Sequence, residues 1–177
     1  MVVLVGIIGG CVYQTGGSAR ETMAAAELVE AVAVGSHMSS GRWRRSSPEP
    51  VVFAGGDARV SWEDGDDSVS IEVARFSSAY AAAGTFLLGD PTAAAAEDFE
   101  SSPRSADLGV RAGADEQEGW CVVERGDGCH YWMYRARFGQ YLLLATRFAP
   151  GRAMAQAEFA GYVDQFVHAM DATLPRG

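Results

Sequence analysis

Two adjacent runs in the last third of the chain constrain the fold most. Cys129 to Phe138 reads CHYWMYRARF and Tyr141 to Phe148 reads YLLLATRF, with only Gly139-Gln140 between them. Both are rich in aromatic and aliphatic residues that suit a pleated, half-buried surface. A two-residue break containing glycine is a usual way to join antiparallel strands. Trp120 to Glu124 is a third strand candidate, set off by the turn residues Arg125-Gly126-Asp127-Gly128. Three such runs predict a β-meander.

Upstream, Ala58 to Glu63 and Ser68 to Phe76 alternate apolar and polar residues around Asp64-Gly65-Asp66-Asp67. Val60 and Trp62 share one face, as do Val69, Ile71 and Val73, which predicts a β-hairpin. Downstream, Met154 to Leu174 carries Phe159, Val163, Phe166, Val167, Met170 and Leu174 at helical spacing. That continuous stripe predicts a helix packed on a sheet face. Arg20 to Val34 is rich in helix formers, with Met23, Leu28, Ala31 and Val32 as its apolar face and Gly35 as its stop. Ser77 caps a further helix ending at Gly89, and Asp90-Pro91 begins another. Residues 101–118 are polar and turn-rich, with a short strand expected at Leu108 to Arg111. The expected fold is α+β: an antiparallel sheet, hairpin plus three-stranded meander, with helices packed on it and a C-terminal amphipathic helix. The expected organisation is a leader at 1–11, a helix and linker at 12–50, and the α+β domain at 51–177. Within the linker, Gly35-Ser36-His37-Met38 resembles a cloning scar and carries no functional reading.

The formal net charge is −9, which argues against nucleic acid as a partner, because a phosphate backbone needs a cationic face. All 14 basic residues are arginine, and the chain has neither lysine nor asparagine. Surface chemistry does not demand that choice. With the abundant alanine and glycine, the composition resembles that of proteins from GC-rich actinobacteria.

Residues 1–10 read MVVLVGIIGG and precede Cys11. A bilayer-spanning helix needs about twenty apolar residues, so this run is too short to span but fits a signal-peptide core. Ile8-Gly9-Gly10-Cys11 resembles the bacterial lipobox, which implies lipidation of Cys11 and tethering outside the cytoplasmic membrane. The run also reads as a buried strand of a cytoplasmic protein, and a secreted form is a further alternative.

Cys121 and Cys129 flank the turn between two predicted strands, where opposed residues lie close enough for a disulfide. An oxidising compartment would let the bridge persist. Cys-x7-Cys is not a usual zinc spacing, and no metal or cofactor is expected. His37, His130 and His168 form no recognisable catalytic set, and no catalytic residues are assigned. The acidic run Glu63–Asp67 lacks the alternating ligands of a calcium loop and reads as a turn. Arg42-Trp43-Arg44-Arg45 suits an anionic membrane interface, or equally a linker with Trp43 packed on the domain. Arg125-Gly126-Asp127 matches an adhesive tripeptide but is ordinary turn chemistry.

Strand alternation puts Trp132 and Tyr134 on one face and Tyr131 and Met133 on the other. Trp132, Tyr134, Tyr131 and Tyr141 are the candidate ligand-binding residues, for a small-molecule, glycan or protein ligand. From Val60 to Leu174 the arrangement resembles small actinobacterial envelope lipoproteins with a sensor-like or PsbP-like α+β domain. The resemblance rests on Val69 to Phe76, the alanine-rich helix, CHYWMYRARFGQYLLL and the final amphipathic helix. It implies a non-catalytic envelope lipoprotein that binds a ligand through its sheet. The alternatives are an accessory subunit of a membrane complex, or a hydrolase with dispersed catalytic residues.

Overall fold

The computed structural model describes residues 22–36, 38, 43–46, 49–51, 57–89, 103–110, 113–123, 128–150 and 152–174. An antiparallel sheet carries helices on both faces, so the α+β class and the C-terminal helix are as the periodicities predict. The strands are β1 (Arg44–Arg45), β2 (Glu49–Val51), β3 (Asp57–Asp64), β4 (Asp67–Arg75), β5 (Pro103–Ser105), β6 (Glu116–Val123), β7 (Cys129–Phe138) and β8 (Tyr141–Phe148). Their order is β1-β3-β4-β8-β7-β6-β5, with β2 also paired to β3. The hairpin β3–β4 and the meander β6–β8 therefore meet through β4 and β8, whose register runs from Ser68↔Phe148 to Arg75↔Tyr141. Gly139, at φ 59°, turns β7 into β8, a conformation that costs glycine little. Asp115 Oδ2 accepts from the Gly139 amide at 2.6 Å and pins that turn.

One sheet face forms the main core with helices α1 (Ala25–Gly35) and α3 (Gln156–Thr173). Phe159, Val163, Phe166, Val167 and Met170 of α3 are all fully buried, as the stripe requires. Phe166 stacks on Trp62 of β3, and Phe159 stacks on Trp132 of β7, both with ring centroids 5.6 Å apart. In α1 the buried residues are Ala25, Leu28, Val29, Val32 and Ala33, so Val29 and Ala33 take the place expected for Ala31.

The compact unit also reaches back further than Val51. Helix α1 packs in the same core as α3, and β1 and β2 extend the sheet beyond β3. Ser36 and Met38 are buried, so these two residues of the 35–38 tetrapeptide contribute to the fold. Trp43 packs on the domain, edge-on to Tyr162 and beneath the Arg147 guanidinium at 4.8 Å. Arg44 and Arg45 pair with Glu63 and Glu30. The pairing of β1 with β3 is what fixes these residues, and such short edge strands have little periodicity to betray them.

The opposite face carries helix α2 (Ala79–Leu88), capped by the Ser78 hydroxyl rather than by Ser77. Ala82 and Phe86 pack against Leu142, and Arg135 anchors the helix end by donating to the carbonyls of Phe86 and Gly89 at 2.6 and 3.0 Å. Among the described residues, no helix is long and apolar enough to cross a membrane. The helix expected after Asp90-Pro91, His37 and Arg125-Gly126-Asp127 lie outside the described residues, as do Arg42 and Cys11.

Candidate functional site

After β5 the chain does not form the short strand expected from Leu108. Residues 106–110 instead cross the sheet beside β6 as an irregular strap. The Ala106 amide donates to the Gly119 carbonyl at 2.8 Å, and three side-chain contacts add to this. Asp107 Oδ1 accepts from the Gly109 amide at 2.9 Å, Gln117 Nε2 donates to the Val110 carbonyl at 2.7 Å, and Gln156 of α3 donates to the Asp107 carbonyl. The strap approaches β6 closely only because position 119 is glycine. A Cβ there would stand 3.0 Å from both the Ala106 carbonyl oxygen and Leu108 Cδ1.

Between strap and sheet lies a cleft of about 270 Å³. Tyr134 and Leu108 supply apolar wall, and Asp107 and Gln117 supply polar groups. Tyr134 is buried, and its hydroxyl donates to Gln117 Oε1 at 2.7 Å. Burial, and secondarily the charge of Asp164, raises the Tyr134 pKa, so the phenol stays a neutral donor. The Glu118 carboxylate points to the opposite sheet face, where it accepts from Arg135 Nε at 2.9 Å beside α2. With the Tyr134 proton and both ends of the Gln117 amide committed, the cleft keeps the Asp107 carboxylate as its charged acceptor. It suits a small ligand that offers hydroxyl or ammonium hydrogens.

The other aromatic candidates lie elsewhere. Trp132 is in the main core, with its indole donating to the Met154 carbonyl at 3.2 Å. Tyr141 is fully buried, and its hydroxyl receives the Met23 amide at 2.6 Å and donates to the Met23 carbonyl at 2.8 Å. Tyr131 lies on the opposite face, edge-on to Phe148. Of the four, only Tyr134 borders the cleft. The strap residues were not singled out from sequence. The available signal was Gly119 inside a strand, which marks a close backbone approach.

The structure joins Cys121 to Cys129, with Cα atoms 5.5 Å apart. They are not directly opposed: Cys121 faces Trp132 and Cys129 faces Val123. A one-residue register shift separates Val122↔Tyr131 from Val123↔Cys129. Without it Cys129 would fall on the face of Tyr131, away from Cys121. The bulge returns Cys129 to the main core, and the bridge forms on that side. A disulfide is compatible with an exported protein. Because the loop spans a sequence separation of 8, its reduction should lower stability by only about 2–3 kcal/mol. Guanidinium unfolding with and without reductant checks this.

His130 Nδ1 lies 3.1 Å from the Ala149 carbonyl oxygen, and His168 is exposed on α3. Neither lines the cleft. No group of three potential metal ligands occurs among the described residues. The arrangement does not conflict with a non-catalytic role.

No protein-family model matches the chain, and no curated protein does. Solved structures resemble it only distantly. A GTP binding regulator from Thermotoga maritima is 9% identical with a TM-score of 0.44, over 81% of this chain and 87% of that one. An uncharacterized protein from Mycobacterium smegmatis is 13% identical with a TM-score of 0.49, over 82% of this chain and 97% of that one. Neither likeness is strong enough to carry an argument about activity.

Proposed function

We propose that the chain is a non-catalytic cell-envelope protein, lipid-anchored through Cys11, that binds a small hydroxyl- or amine-bearing ligand. The observation that carries the binding reading is the cleft of about 270 Å³ between the 106–110 strap and Tyr134. Its size is at the small end for ligand sites, which suits one sugar ring or a short amine better than a polymer. The lipobox-like Ile8-Gly9-Gly10-Cys11 supports the anchor, and the disulfide supports an oxidising location.

Calorimetric titration of the full chain with methyl glycosides and with short alkylamines tests this reading. One of the two classes should bind. Asp107→Asn keeps the oxygen that accepts from Gly109 but removes the charge. If amines are the ligand class, this variant should bind them on the order of 10-fold more weakly, whereas glycoside binding should barely change. Absence of binding by either class at millimolar concentration would sink the proposal. Intact mass of protein from an exporting bacterial host tests the anchor separately: a diacylglyceryl adduct at Cys11 supports it, and an unprocessed Met1 removes it.

A further inference from the structure

Helix α2 contradicts its position. From Ala79 to Leu88 it reads AYAAAGTFLL, without one charged residue. A helix that is apolar all round is ordinarily buried all round. This one lies on the sheet surface with Ala82, Ala83 and Phe86 inward, while Tyr80 is 84% exposed, Leu87 65% and Leu88 88%. At about 100° per residue, Tyr80, Gly84, Leu87 and Leu88 fall within one outward arc of about 100°. A Cβ at Gly84 would meet nothing within 4 Å. The outward stripe is therefore continuous, apolar and unpartnered among the described residues.

Met23, at the start of the described residues, is clasped through both its amide and its carbonyl by the Tyr141 hydroxyl. Tyr141 stands at the β7–β8 turn and opposite Arg75, the last residue of β4. The Phe76 amide donates to the Gln140 carbonyl at 2.9 Å, and α2 begins three residues later. The described chain thus begins at the same end of the sheet where α2 starts, on the opposite face. The stretch from Cys11 to Met23 reaches at most about 40 Å when extended. The other pole, where Met154 bonds to Cys129, is a full strand length away, about 30 Å along β7.

We propose that α2 is an interfacial helix that lays Tyr80, Leu87 and Leu88 on the bilayer to which Cys11 is tethered. The proposal rests on the Cys11 anchor for its tether. Tyrosine and leucine on the outer arc suit the headgroup–acyl boundary, and exposed Arg75 beside the helix start suits an anionic headgroup. With a net charge of −9 the free domain is repelled by anionic lipid, so the tether supplies the local concentration that lets a small apolar stripe bind.

The test couples Cys11 of the full oxidised chain to a maleimide lipid in 4:1 phosphatidylcholine–phosphatidylglycerol vesicles, with and without brominated acyl chains. This tether does not depend on whether a cell lipidates Cys11, so its outcome is separable from the mass measurement on the anchor. Bromolipid should cut the added emission of a Leu88→Trp variant about two-fold, and leave that of Ala157→Trp, in the first turn of α3, unchanged. Leu87→Glu placed in the Leu88→Trp background should abolish the quenching. Equal quenching at both positions, or none at Leu88→Trp, overturns the proposal. So does self-association of the untethered chain that Leu87→Glu abolishes, because the stripe would then be a protein interface.

Discussion

Phe166→Ala should destabilise the protein by about 3–5 kcal/mol, the range for truncating a fully buried aromatic. Phe166 is wholly inaccessible and stacks on Trp62 at a 24° interplanar angle. The site cannot collapse easily, because the wall opposite α3 is a sheet strand held in register on both sides. Trp62 is itself wholly buried, and its Nε1 has no hydrogen-bond partner among the described residues. Its place in the core therefore depends on apolar contact alone, and removing the facing ring takes away much of that contact. Thermal unfolding should show the loss as a fall in Tm on the order of 10 °C for a chain of this size. Trp62→Phe should cost much less, since it keeps an aromatic ring and deletes the unpaired N–H. Equal losses from the two variants would mean that the indole nitrogen matters and that the packing account is wrong.

Asp67→Ala is expected to be comparably damaging, at about 3–5 kcal/mol, for an electrostatic reason. Arg147 is wholly inaccessible, and its guanidinium donates to Asp67 Oδ2 at 2.7 Å and to the carbonyls of Ser68 and Phe148. Asp67 is the carboxylate paired with this buried charge. Removing it leaves a desolvated cation with two carbonyl dipoles and the face of Trp43. Arg147→Met should be far milder, because it removes the charge together with the need for a counter-ion. Urea unfolding of the two single variants and the double variant separates the terms. If Asp67→Ala cost no more than an exposed ion pair, about 0–1 kcal/mol, the pair would be solvated in solution and this reading would fail.

The sequence made some of this legible and hid the rest for identifiable reasons. The alternating runs of β3 and β4, the aromatic runs of β7 and β8, and the stripe of α3 each state their structure locally, and each forms as expected. Asp67 was legible as a turn residue but not as the counter-ion of Arg147, which lies 80 positions away. Arg135, Arg137 and Arg147 read as polar positions in strands. All three are buried, because Glu118, Glu116 with Asp115, and Asp67 neutralise them from other elements. The bulge that brings Cys129 to the side of Cys121 also has no local signature. The cleft was the least legible feature. Aromatic richness drew attention to Trp132 and Tyr141, whose polar atoms the fold itself satisfies, while the strap, Ala106 to Val110, mixes small, acidic and apolar residues and reads in part as a short strand.

The strand order also determines when the molecule can form. Strand β8 is inserted between β4 and β7, although β4 precedes it by some seventy positions. Until Tyr141 to Phe148 has been made, the inner edge of β4 has no partner, and the hairpin cannot be completed by anything nearer in the chain. Pairing of this separation is slow to find, because a long loop must close before any contact rewards it. A shortened chain ending before β8 would present two open sheet edges and an uncovered apolar face, the usual starting point for intermolecular pairing. The hairpin and the meander are separate modules in sequence, yet neither would be a folding unit by itself. Strand β8 and helix α3 close both halves at once, and folding waits until both have been synthesised.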